Sequence, residues 1–396
     1  MPSMLMKNII KFSQENCPCC NGFADVAVSL ENYPLTEFFT DKESKDELTG
    51  FVDQNGRFCE SCEHFFLENV LDPDFIYNKD NYVTSSVSSK GAVDCINELI
   101  QFIDKTIGDF DMSKSSIIDI GGNDSTLLKE YLGKCISLIN IDPHAISDEE
   151  NIILENRFLE KVDFEDYRGK DPIMYVSSHT FEHLENPFII LRNLATVIRD
   201  QDVLYLQFPS IEKLYMFNRY DQLCHQHINL FSLRSITKTM EKEGLFLNNY
   251  EYDNSHFGTI RLKFSRKDIN KECHKNVSFE EIQKSFHNFQ NFYKNLNNAI
   301  EKIFNKGQGF GAGLMVPTLS YHLPIINSLS HIIDENPARI GKKFINLHPP
   351  IVDSSYYDFS KPILITSIST KTAARAIFSK LCNLGFKDIC LPTMGT

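Results

Sequence analysis

Apolar, β-branched runs that stop on a carboxylate mark out the middle of the chain. Ser116 to Ile120 is one, interrupted only by Asp119, and Gly121-Gly122 follows it at once. Such a run reads as a buried parallel strand entering a tight turn, with a helical pattern through Leu127, Leu128, Tyr131 and Leu132 beyond it. Ile136 to Ile141, with one polar break, closes on Asp142; Ile173 to Ser177 and Asp202 to Phe208 are two further buried strands. Helical spacing alternates with them, over Ala92 to Ile107, Phe188 to Ile198 and Ile236 to Leu245. Leu247 to Tyr252 and Gly258 to Ser265 can then pair as an antiparallel hairpin at the sheet's edge. Alternating strands and helices predict a doubly wound α/β sheet.

A different rhythm follows. Ser278-Phe279-Glu280-Glu281 has the form of a capping box, and Phe279, Ile282, Phe286, Phe289, Tyr293, Leu296, Ile300 and Ile303 recur three and four apart. One long helix is expected, packed within the chain rather than in a dimeric coiled coil, and stopped by Gly307. Beyond it, Gly309-Phe310-Gly311-Ala312-Gly313, then Ile332-Ile333-Asp334-Glu335-Asn336-Pro337, a strand at Ile363 to Ile368 and a helix at Thr372 to Leu384 suggest a smaller Rossmann-type unit. The expected units are 1–75, 76–270, the connecting helix 271–306, and 307–396.

Composition narrows the partners. The 396 residues are 42% hydrophobic and 23% charged with net charge −13, and no long basic run argues for nucleic acid or an anionic membrane surface. No window reaches the length of a membrane span, and Met1 to Glu15 has no cleavage-like pattern, so a cytoplasmic protein is expected. Eleven cysteines then read as thiols or metal ligands. Cys17/Cys20 and Cys59/Cys62 form two Cys-x-x-Cys knuckles, which together suit a closed tetrahedral, structural zinc. Cys19 is a spare thiol able to compete with Cys20.

The turn after Ile120 is neither a P-loop nor Gly-x-Gly-x-x-Gly. A glycine turn with Asp142, a carboxylate suited to a ribose diol, at the next strand's end resembles the S-adenosylmethionine site of class I methyltransferases. The order Cys-x-x-Cys, Cys-x-x-Cys, Tyr82-Val83-Thr84-Ser85-Ser86, then Asp119-Ile120-Gly121-Gly122-Asn123-Asp124 is similar to the sugar C-methyltransferase family over nearly the whole chain. Members of that family methylate nucleotide-linked 4-keto-deoxysugars and have an N-terminal zinc-binding domain, a class I core and a Rossmann-like C-terminal domain. The resemblance implies that Asp119, Gly121, Gly122, Asn123 and Asp142 hold S-adenosylmethionine, with Asp163 and Phe164 at the adenine. It places Tyr77, Tyr82, Ser85, His225 and Gln226 near the sugar, and Gly309, Gly311, Asp334 and Asn336 near its nucleotide.

Two histidine segments carry the expected chemistry. His179-Thr180-Phe181-Glu182-His183 follows the third of the strands named above, where ligands of such sheets bind. Its His-x-x-Glu-His order is that of an inverted zincin, but it follows a strand and is cut by Pro187, so zinc hydrolysis is set aside. By the family motif His183 lies against substrate, and His179 is structural. In Tyr220 to Ser232, expected as a lid, the family's Tyr-His-Glu-His run becomes Cys224-His225-Gln226-His227. Its last histidine, here His227, is the implied base, while the phenol and carboxylate do not carry over. Met315 likewise stands where the family often has a lysine. The expected reaction is C-methylation through an enolate. O- or N-methylation of a related small molecule, and a non-catalytic zinc-containing binding module, are the alternatives; monomer and homodimer both stay open.

Overall fold

Each apolar run of the middle segment becomes a strand of one sheet. In the computed structural model, which describes residues 9–41, 48–76, 90–253, 258–269, 277–367 and 371–392, these are β1 (Ser116–Ile120), β2 (Ser137–Ile141), β3 (Ile152–Glu155), β4 (Ile173–Ser178), β5 (Val203–Pro209), β6 (Phe246–Tyr252) and β7 (Thr259–Ser265). They lie in the order β6-β7-β5-β4-β1-β2-β3. β1 to β5 run parallel to one another, whereas β7 is antiparallel to both β5 and β6. This is the class I methyltransferase order, with β7 inserted between β5 and the edge strand β6.

The two faces are separated by strand alternation. Ile117, Met174 and Tyr205 point to one side and pack with Leu99, Phe102 and Ile103 of helix α1 (Lys90–Thr106). Ile118, Tyr175 and Leu204 point to the other, against Leu191 and Leu194 of α2 (Pro187–Val197) and Ile236 and Met240 of α3 (Leu233–Lys242). α3 starts earlier than its apolar pattern because Ser232 and Ser235 cap it reciprocally. The helix expected through Leu132 closes after one turn, Thr126–Lys129. There the amides of Glu130, Tyr131 and Leu132 bond three residues back, and Gly133 adopts φ +69°.

The N-terminal strands do not form their sheet alone. Its order is Asn229–Leu230, His64–Leu67, Phe51–Cys59, Asp25–Pro34, so a piece of the segment after β5 supplies one edge. The Tyr220 to Ser232 segment is therefore no lid; Tyr220 to Gln226 are buried and the chain is stitched to the N-terminal sheet. Helix α4 (Phe279–Phe304) begins at the Ser278–Glu281 capping box. Its stripe, Ile282, Phe286, Phe289 and Tyr293, packs within the chain, against Val28, Leu30 and Tyr33 below and Val316 and Leu319 beyond. Burying each of these Phe rings contributes about 2 kcal/mol. The C-terminal unit is a five-stranded parallel sheet in the order Ile351–Val352, His331–Ile333, Gln308–Phe310, Ile363–Ile365, Ile389–Cys390. Phe39–Asp41 pairs with Lys342–Phe344, tying the N-terminal unit to the C-terminal one.

Candidate active site

The glycines after β1 are where they are because nothing larger fits. Gly121 has φ +80°, and a Cβ on it would lie 2.1 Å from Thr180 Oγ1; one on Gly122 would lie 2.6 Å from Asn140 Oδ1 and 2.8 Å from Asp119 Oδ2. Asn123 and Ser125 complete the turn with φ of 43° and 61°. Asn140, the polar break in β2, holds it: its Nδ2 donates to Asn123 O (3.1 Å) and Ser125 Oγ (2.8 Å). Asp142, at the end of β2, accepts the Asn123 amide at 3.3 Å and the His144 amide at 2.7 Å. Asp119, Gly121, Gly122, Asn123 and Asp142 thus form one cradle at the carboxyl edge of the sheet.

Negative charge is crowded there. Burial pushes the Asp119 carboxyl up to about 8, and the neighbouring Asp142 and Asp124 push the same way. Asp142 is raised mainly by burial, opposed by its two backbone amides. Asp163 is exposed and caps the turn Phe164–Tyr167 by accepting the Glu165 amide, while Phe164 is buried in the core of the α2 face.

Beyond β4 the chain makes a left-handed kink at His179 (φ +53°) and a short helical turn, Phe181–His183. His179 and His183 therefore do not share a helix face. His179 Nε2 lies 3.4 Å from Cys95 Sγ of α1, and its Nδ1–H donates to Glu182 Oε1 at 3.0 Å. Glu182 is 0% exposed. Burial alone would push it up, but the His179 hydrogen bond and the charges of His179, His183 and His227 outweigh it and hold it at about 2. Burial likewise opposes charge on His179, yet Cys95 and Glu182 prevail and push it up to about 10.

His183 Nδ1–H donates to the Gln226 carbonyl at 2.9 Å, which places the ring's lone pair on Nε2. The His227 ring stands 5.0 Å from that of His183 at 67°. Burial, then the adjacent His183, push His227 down to about 3, so it is neutral at pH 7, and its Nδ1 is buried without a hydrogen-bond partner. One donor atom each of Glu182, His183 and His227 lie within 4.8 Å of one another. The structure thus brings His183 and His227 together, and adds the Glu182 carboxylate to them.

Other expected residues sit elsewhere. His225 receives Gln54 Nε2 on Nδ1 (3.2 Å) and donates from Nε2 to Tyr33 O (3.3 Å); it braces the N-terminal sheet and does not join the imidazole pair. Gln226 turns its side chain to the Thr36 hydroxyl (3.0 Å) and offers the pair only its carbonyl. Cys224 is buried and burial pushes it up to about 12. Gly309 lies inside a strand, where a Cβ would press on Ile332, Thr366 and Leu329, so its smallness serves packing. Gly311 (φ +94°) does make a turn, and Asp334 Oδ2 accepts the Ala312 amide there at 2.5 Å. Asn336 caps the next turn through Ala338 N (3.0 Å). Tyr77, Tyr82 and Ser85 lie outside the described residues. Sequence reasoning did not bring Glu182 to His227; the His-x-x-Glu-His spacing contained the carboxylate, but His227 is 45 positions on.

In the N-terminal unit Cys17 and Cys62 Sγ are 3.4 Å apart, Cys20 and Cys59 Sγ 3.5 Å, and all four lie within 4.8 Å of one another. A tetrahedral zinc with Zn–S near 2.3 Å needs sulfurs about 3.8 Å apart. The four thiols fit it; Cys19 is held by Thr239 Oγ1 (3.4 Å).

Residues 94–247 match the family model described as a methyltransferase domain. The C-methyltransferase NovU of Streptomyces niveus is 21% identical over 211 residues, 51% of this chain and 49% of that protein, so the chain spans about half the length of this curated relative. Among solved structures, magnesium protoporphyrin IX methyltransferase from Synechocystis PCC 6803 with bound SAH aligns with TM-score 0.37 and 14% identity, covering 49% of this chain and 92% of that one. The 1,6-didemethyltoxoflavin-N1-methyltransferase of Burkholderia thailandensis aligns with TM-score 0.36 and 8% identity, covering 46% and 81%. The fold assignment rests on the strand order.

Proposed function

We propose that the protein transfers a methyl group from S-adenosylmethionine to a small-molecule acceptor, and that the acceptor is a nucleotide-linked keto-deoxysugar methylated on carbon. The observation that carries the reading is one sheet edge bearing both the Asp119–Asp142 cradle and the His183–His227 pair. The cradle fits the cofactor by its donor set: a carboxylate at the end of β2 for ribose hydroxyls, and a turn with no room for a Cβ at Gly121 or Gly122. S-adenosylmethionine supplies a methyl already electrophilic on its sulfonium. What remains for the protein is to orient the acceptor and remove a proton.

His227, neutral at pH 7, takes the proton α to the ketone. The imidazolium it becomes is costly in a buried site, and the Glu182 carboxylate within 4.8 Å supplies the countercharge. His183, whose ring stands 5.0 Å from that of His227, orients the acceptor beside the base. The NovU match supports transfer to carbon. We assign a structural zinc to Cys17, Cys20, Cys59 and Cys62, and the Gly311–Asp334 turn to the nucleotide end of the substrate.

His227→Asn should reduce turnover below detection while leaving S-adenosylhomocysteine affinity within about threefold by calorimetry. Near-normal turnover in that variant removes the assignment. Carbon-13 NMR of the product made with labelled cofactor separates a C-methyl from an O- or N-methyl.

A further inference from the structure

Three metal-ligating side chains, Glu182, His183 and His227, converge after β4 and in the segment that follows β5. Glu182 Oε2 and His227 Nδ1 are both buried and both lack a hydrogen-bond partner, although a carboxylate oxygen and an imidazole nitrogen would gain from one. One donor atom of each of Glu182, His183 and His227 lies within 4.8 Å of the others, the spacing that a single cation needs. The third donor, Nε2 of His183, carries the ring's lone pair because Nδ1–H is fixed on the Gln226 carbonyl. That is how metal-binding imidazoles are oriented, through the second ring nitrogen. The carboxylate is oriented in the same manner, with Oε1 taken by His179 and Oε2 turned away from it.

We propose that Glu182, His183 and His227 form a two-histidine, one-carboxylate site for a divalent first-row cation, separate from the four cysteines, and that the cation and the acceptor's proton compete for the same lone pair on His227. Two imidazole nitrogens and one carboxylate oxygen suit Zn²⁺, Co²⁺ or Ni²⁺ better than Mg²⁺, which prefers all-oxygen shells. The half-buried rings leave coordination positions open, so the site takes the ion reversibly. A cation seated on His227 occupies the one lone pair of the neutral ring, and the protein then cannot take the α-proton. The site would make methyl transfer sensitive to free transition-metal ions. Cation binding stands on the geometry alone; its effect on turnover rests on the methyl-transfer reading above.

The test uses the full chain with one equivalent of zinc already added, titrated with Co²⁺ and followed by visible absorption. The expected result is a second equivalent giving weak d–d bands with no thiolate-to-cobalt charge-transfer band, which would mark the cysteine site instead. Glu182→Gln and His227→Asn, each first shown to bind S-adenosylhomocysteine as the parent does, should weaken this second equivalent at least tenfold. Turnover of the parent should fall with the same midpoint and return on chelation. Absence of a second equivalent, or one unchanged in both variants, overturns the site. Binding as expected with turnover unchanged or raised overturns the competition. Failure to bind S-adenosylhomocysteine in the parent would instead overturn the methyl-transfer reading and leave the cation site standing.

Discussion

Replacing Asp142 by Asn tests the cradle with the least change of shape. In the native chain its two oxygens accept the Asn123 amide at 3.3 Å and the His144 amide at 2.7 Å. Burial already raises its pKa, so part of its charge is unsupported until a ligand with hydroxyl donors arrives. Two hydroxyls on a carboxylate contribute about 1.5–3 kcal/mol each, and the amide retains one neutral acceptor of these two. The net loss is about 3 kcal/mol, which corresponds to roughly 150-fold weaker S-adenosylhomocysteine binding. Stability should change far less, because the stronger bond, to His144, is short-range and an amide oxygen can accept it; a loss of about 1 kcal/mol is expected. Calorimetry gives the first number and urea unfolding the second. Affinity within threefold of the parent, with the variant folded, would refute the ribose role of Asp142 and with it the cofactor reading of the cradle.

Three further outcomes follow from the same geometry. Asp119 is an acid whose folded pKa lies near 8, above the reference 3.8, so its stabilising share is complete below about pH 4 and is lost as pH rises to about 8. The ligand-free parent should lose stability across that window, on the order of 5 kcal/mol from this group, and Asp119→Asn should flatten the slope in urea midpoints; parallel slopes would refute it. Gly121→Ala drives a methyl against Thr180 in a left-handed backbone, and should cost about 2–4 kcal/mol and abolish cofactor binding, read by melting and calorimetry. Cys59→Ser should release the zinc and loosen the N-terminal sheet. Because His64 of that sheet donates to Asn229 (3.1 Å), amide exchange should then rise across Cys224 to Phe231.

The parallel sheet was legible because its strands are buried on both faces, and the apolar letters say so without help from the rest of the chain. The long helix was legible from its cap and stripe. The segment Tyr220 to Ser232 was not, because its polar letters imitate a surface loop. Gln222, His225 and Gln226 are buried, and their partners Asp221, Gln54, Tyr33 and Thr36 mostly lie 171 to 192 positions away. A local pattern reports which residues avoid water, and it cannot report which polar residues have found a distant partner. The same blindness hid the short reach of the helix after Gly122 less than it hid Glu182.

Glu182 also answers the departure that the sequence left open. Cys224 and Gln226 stand where the sequence resemblance implies a phenol and a carboxylate, which leaves no carboxylate next to His227 in sequence. The structure brings a carboxylate near His227 from the turn after β4, and orients it through His179, which in turn meets Cys95 of α1. On the proposed assignment of His227 as base, the charge near it depends on the turn after β4 and on α1, and not on the segment that carries His227. An acceptor bound between the two sides would complete the pairing of Glu182 Oε2 and His227 Nδ1 that the ligand-free chain leaves unmade. It follows that Glu182→Gln should lower kcat more than it raises KM, since the carboxylate matters most when His227 becomes charged. A rise in KM alone, with kcat intact, would make Glu182 a binding group and return the question of the missing carboxylate to Gln226.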